Sequence, residues 1–172
     1  MLIPDRYVIF DLETTGFSPQ YAEIIEIGAV RVVNGIITER FQTYVKPLGR
    51  IPRAITALTG ISEVQTAAAP HIEQAYYMFS EFIKDDVLIA HNCSFDCRFI
   101  GAVCGLLGES LCNPVLDSVK MAKAYIKNVE NYKLETLKKY FYINLPSHNA
   151  ADDCVVTYNV VEYCRKKQNG VV

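Results

Sequence analysis

Apolar residues fall first in strand-like runs and later in helical stripes. Tyr7 to Leu12 is a short, β-rich apolar run that reads as a buried strand, broken by Thr14-Thr15-Gly16. Ile24 to Val33 reads as a second strand. Asn34-Gly35 is a strong two-residue hairpin signal, and Ile36 to Val45 returns as a third strand. The period then changes. Pro52 predicts the start of a short helix that Gly60 closes. Within Pro70 to Ile83, the residues Ile72, Ala75, Tyr76, Phe79, Phe82 and Ile83 form a helical stripe. Val87 to Ala90 suits a central strand, Ser94 to Leu107 a helix, and Val115-Leu116 a last short strand. Further helices are expected from Asp117 or Ser118 to about Ile126, from Leu134 to Tyr140, and from Ala150 to Lys166. The fold class is α/β. Its mixed β-sheet has antiparallel hairpin strands first, then parallel strands reached by crossovers, and helices flank it.

A length of 172 residues suits one core, so a single domain over residues 1–167 and a C-terminal tail over 168–172 are expected. No apolar run approaches the ~20 residues that cross a bilayer. The N-terminus lacks the basic region and cleavage site of a signal peptide. The expectation is a cytoplasmic protein with no membrane partner. The six cysteines show neither a CxxC pair nor zinc-site spacing. Cys93 and Cys97 share a helix face but bring too few ligands for a metal site, and read as ordinary thiols.

Charge narrows the function. A net charge of −2 argues against a protein that passively coats nucleic acid. Four acids stand out by position. Asp11 and Glu13 lie two apart at the end of the first strand, so both point to one face. Two carboxylates there repel each other and are costly to desolvate, and a divalent cation relieves both costs. Hard oxygen ligands suit magnesium or manganese. Asp96 follows the Val87–Ala90 strand at the start of a helix. Asp153 lies in the first turn of the last helix, five residues after His148. Taken singly, Asp96, Asp152 and Asp153 read equally well as helix-start acids that satisfy the helix dipole. Without Asp11, Glu13, Asp96 and Asp153, the rest of the chain carries +2.

Three segments change that balance. IFDLETTG, IAHNCSFDCRF and HNAADD occur in this order, with VLDSVKMAKAY and YKLETLKKYF between the last two. Together they resemble the DEDDh 3′→5′ exonucleases, the DnaQ-like family that includes polymerase III epsilon subunits and PolC-type proofreading domains. The resemblance covers residues 7 to about 163. It implies an RNase H-like fold and a phosphodiester hydrolase that releases nucleoside monophosphates from DNA 3′ ends. It implies Asp11, Glu13, Asp96 and Asp153 as metal ligands for two ions, Mg2+ or Mn2+, and His148 as general base. Spacing within the third motif picks Asp153 over Asp152. The expected arrangement has one ion on Asp11, Glu13 and Asp153, and a second on Asp11 with Asp96 reaching it directly or through water. Two ions roughly 4 Å apart stabilise attacking and leaving oxygens together.

The resemblance also implies substrate contacts. Leu12, Thr14 and Thr15 would meet the terminal nucleotide through backbone groups and an apolar wedge. Leu58 and Thr59 would cover its base, against the alternative that Leu58 is core and Thr59-Gly60 a helix end. His91 is expected to shape a turn, His71 to be structural, and Phe95 to be packed rather than stacked on a base. The lysines from Lys120 to Lys139 and the run Arg165-Lys166-Lys167 read equally as a backbone track or a solvated face. The expected partner is a single-stranded DNA 3′ end, with a DNA polymerase as a further partner for proofreading or repair, although no long C-terminal extension offers a tether. An RNA-trimming enzyme of the RNase T or oligoribonuclease type is the first alternative. An inactive binding module is the second, and it predicts the loss of an acid or the histidine. All five are present.

Overall fold

In the computed structural model, residues 2–170 are described. Three strands open the chain: β1 (Arg6–Thr14), β2 (Ile24–Val33) and β3 (Ile36–Tyr44). Asn34 and Gly35 adopt φ of 51° and 78°, the left-handed pair that a tight hairpin needs. Three helices follow, α1 (Arg53–Thr59), α2 (Glu63–Thr66) and α3 (Ile72–Ile83). Then come β4 (Val87–Ala90), α4 (Ser94–Leu107), β5 (Val115–Asp117), α5 (Ser118–Tyr125), α6 (Leu134–Tyr140) and α7 (Ala150–Gln168). Helix α2 is not foreseen by the apolar period. It is one turn of largely polar sequence, held by a capping box between Ser62 and Gln65. Of the expected C-terminal tail, Gln168 belongs to α7, while residues 171–172 lie outside the described residues.

The five strands form one mixed sheet in the order β3-β2-β1-β4-β5. The β1–β2 and β2–β3 pairs are antiparallel, and β1–β4 and β4–β5 are parallel. Strand β1 is central, and its alternation assigns its two faces. Val8, Phe10 and Leu12 pack with Phe79 of α3 and Phe99 of α4 on one side. Tyr7 and Ile9 pack with Met121 of α5 and with Cys154 and Val161 of α7 on the other. The row Tyr7, Ile9, Asp11, Glu13 therefore turns from apolar to acidic along one face. It does so just past Ile9, the last β1 residue paired with β4. Among the described residues, no helix is long and apolar enough to cross a membrane.

Candidate active site

Strand β1 carries Asp11 and Glu13 beyond the point where β4 stops pairing. Two helix starts converge on them. Helix α4 brings Asp96 in its first turn, and α7 brings Asp153 in its first turn. Gly28 explains how α7 comes so close. It pairs with Asp11 across β1–β2, and a Cβ there would stand 2.4 Å from the carbonyl carbon of Ala150. The bare backbone of β2 lets the first residue of α7 rest on the sheet. Asn149 caps that helix, accepting the Asp152 N–H at 3.0 Å.

Ligand oxygens of Asp11, Glu13 and Asp153 all lie within 4.8 Å of one another, and no other such cluster occurs among the described residues. Asp152 lies outside it. Asp96 also lies outside this trio but is 3% exposed, and the nearby backbone of Asp96 itself and of Leu12 favours its charged form. Loss of hydration, followed by crowding from Asp96, Asp153, Glu13 and Glu26, pushes the Asp11 carboxyl well above the usual range. Burial, then Asp153, Glu26 and Asp96, pushes Glu13 up to about 8. Burial raises Asp96 to about 7 against its backbone donors. Asp153 is raised by burial to about 6, opposed first by the His148 N–H and then by the His148 ring and Lys138.

Lys138 and the His148 ring lie near Asp153 without pairing with it. Among the described residues, none of the ion pairs involves Asp11, Glu13, Asp96 or Asp153. Hard, converging, unpaired oxygens fit a divalent cation. The Cys93–Cys97 pair joins no such cluster.

His148 precedes α7 with φ of 59°, and its N–H donates to Asp153 Oδ2 at 3.1 Å. Lys138 Nζ donates to Ser147 Oγ at 2.7 Å, tying the same loop to α6. The histidine ring is half-buried beside Asp153, with a route to solvent.

The expected substrate contacts divide. Leu58 is 51% exposed, so the core reading fails and the side chain is free to meet a ligand. The Thr59 hydroxyl is taken locally: it donates to Ile55 O and accepts from Ile61 N, both at 3.0 Å, which is the helix-end reading. Leu12 is 5% exposed and packs in the core, so its side chain is not a wedge. Thr14 donates to Gly16 O at 2.7 Å, and Thr15 Oγ1 accepts the Glu23 N–H at 2.8 Å, so both hydroxyls build the turn after β1. His91 is held between Ser118 Oγ and Tyr132 O, at 2.8 and 2.9 Å, and shapes its turn as expected. His71 is exposed at the start of α3, and Phe95 packs on Phe99 with centroids 5.0 Å apart.

Residues 8–161 match the family described as Exonuclease. The chain belongs to that exonuclease family. It is 40% identical over 164 residues to a DNA polymerase III PolC-type of Clostridium perfringens (strain 13 / Type A), covering 95% of this chain and 11% of that relative. The exonuclease chain thus spans about a tenth of the length of the PolC-type relatives it matches. Among solved structures it is similar to exonuclease X in complex with 5′ overhanging duplex DNA, with TM-score 0.76 and 24% identity, covering 95% of this chain and 93% of that one. It is also similar to the nuclease domain of 3′hExo, a DEDDh family member bound to rAMP, with TM-score 0.80 and 21% identity, covering 97% and 94%. The mixed sheet with flanking helices is the RNase H-like fold shared with these nucleases. The DnaQ-like resemblance read from the three motifs holds, and this chain is an exonuclease domain.

Proposed function

We propose that this domain removes nucleoside monophosphates from the 3′ end of single-stranded DNA by cation-dependent hydrolysis. The observation that carries the reading is the convergence of Asp11, Glu13 and Asp153 within 4.8 Å, with Asp96 buried alongside. In this reading Asp11, Glu13 and Asp153 hold one divalent cation, and Asp11 with Asp96 a second, Mg2+ or Mn2+. When bound, the pair supplies the charge that stabilises the attacking and leaving oxygens.

The chain's own groups do the rest. His148 takes the proton of the attacking water, and the Asp153 carboxylate beside it stabilises the imidazolium that forms. The His148 N–H fixes Asp153, so base and ligand move as one unit. The Leu12 backbone favours the charged form of the Asp96 carboxylate beside β1. Leu58, exposed on α1, packs against the terminal base.

The PolC-type relatives favour DNA over RNA, and favour a cytoplasmic proofreading or repair role beside a DNA polymerase. The family span over residues 8–161 and the end of α7 at Gln168 support one exonuclease domain. The test uses 5′-labelled single strands of DNA and RNA of one sequence, with Mg2+, with Mn2+ and with EDTA. A cation-dependent ladder shortening from the 3′ end, faster on DNA, is expected. Faster loss of RNA replaces the substrate reading, and no cleavage of either strand by folded protein overturns the enzyme reading.

A further inference from the structure

One acid at the site belongs to none of the three motifs. Glu26 on β2 is 0% exposed. Its Oε2 accepts the Ala150 N–H at the start of α7 at 3.0 Å, and its Oε1 accepts Gln42 Nε2 at 2.6 Å. It stands directly opposite Glu13 in the β1–β2 pairing. Among the described residues, none of the ion pairs includes it.

The hydrogen bonds explain a polar side chain here, but they do not explain a charge. A glutamine oxygen would accept the same Ala150 N–H, and Gln42 can turn its amide over to accept from the new amide. Facing carboxylates on neighbouring strands are destabilising, and so is a buried carboxylate with no cation. The positive end of α7 offsets part of this cost, but Asp153 shares that same helix end. A charge kept at a cost to stability needs a use. Ligand oxygens of Asp11, Glu13 and Asp153 converge beside it, and a fixed negative charge attracts a cation without touching it.

We infer that Glu26 is a positioning residue that seats the start of α7 and whose charge tightens the hold of Asp11, Glu13 and Asp153 on a divalent cation, at the expense of stability in the cation-free protein. The inference rests on the cation-holding reading of the proposed function. Glu26 touches neither cation nor substrate in this scheme. It acts through the Ala150 N–H and through its field.

The test compares the full chain with Glu26→Gln in two measurements without nucleic acid: thermal melting in EDTA at about pH 9, where Glu13 at about 8 is ionised, and calorimetric titration with Mn2+ at neutral pH. Glu26→Gln is expected to melt higher than wild type in EDTA and to bind Mn2+ about tenfold more weakly, in the range seen for groups behind metal ligands. These opposite signs separate the inference from a merely structural role, which lowers melting and leaves cation affinity alone. A variant that binds Mn2+ with wild-type affinity, melts lower than wild type or fails to fold overturns the inference. Wild-type protein that takes up no Mn2+ overturns the cation-holding reading beneath it, and that result is visible before any variant is made.

Discussion

Gly28 and Ala150 touch backbone to backbone: a Cβ on Gly28 would lie 2.4 Å from the Ala150 carbonyl carbon and 2.7 Å from its oxygen. The obstacle is main chain, so it cannot swing away. Gly28→Ala must therefore lift the start of α7 from the sheet and carry Asp153 away from Asp11. Chemical denaturation is expected to show a loss of about 1–3 kcal/mol, typical of overpacking. A Mn2+ titration of the folded variant should show weaker binding. Unchanged affinity would mean that α7 is placed by other contacts.

Acidity of the site sets a pH dependence. Glu13, Asp96 and Asp153 have folded-state values raised to about 8, 7 and 6, chiefly by burial. A raised carboxyl binds protons more tightly folded than unfolded. Its contribution to stability is full below the ordinary carboxylate range and is lost as pH rises through the folded value. In EDTA, these groups should therefore pull the melting temperature down between about pH 4 and 8. Saturating Mg2+ should flatten that fall, since the cation replaces the protons. A melting temperature in EDTA that rises across this window would contradict the assignment.

His148 can be separated from cation binding. Its contact with Asp153 includes a backbone N–H, which any substitution except proline keeps. Its φ of 59° suits asparagine better than alanine. His148→Asn is expected to bind Mn2+ nearly as wild type does while kcat falls about 10²–10⁴-fold, the usual share of a general base. A kcat within a factor of two of wild type would remove the histidine from the mechanism.

Leu58 and Thr59 are neighbours with opposite expectations. Leu58→Ala removes an exposed apolar contact and should raise KM for a short DNA strand roughly three- to tenfold, with stability unchanged. Thr59→Val should leave KM alone and cost about 1 kcal/mol of stability, because the hydroxyl serves Ile55 and Ile61. Steady-state kinetics beside denaturation curves reads both.

Much of this arrangement is legible before any coordinates. Apolar runs and helical patterning place β2, β4, α4 and α6 at their observed bounds, and the Asn34-Gly35 turn gives the hairpin. The motif acids are visible because they interrupt apolar runs at strand and helix ends. Glu26 is harder to see. It sits inside a buried strand, and its partners are 16 and 124 residues away, so only the register and the seat of α7 reveal it. Leu12 and Thr59 illustrate the same limit. Motif position brings them to the site, but alternation turns the Leu12 side chain into the core, and a local helix end takes the Thr59 hydroxyl.

The most direct measurement compares wild type and Asp11→Ala on 5′-labelled single-stranded DNA with Mn2+, both checked for folding. Asp11 is the one acid assigned to both proposed cations. Its removal should slow 3′-end shortening by about 10³-fold or more, the scale of several kcal/mol of transition-state stabilisation. A folded Asp11→Ala protein that shortens DNA at the wild-type rate would contradict the carboxylate cluster as the catalytic centre.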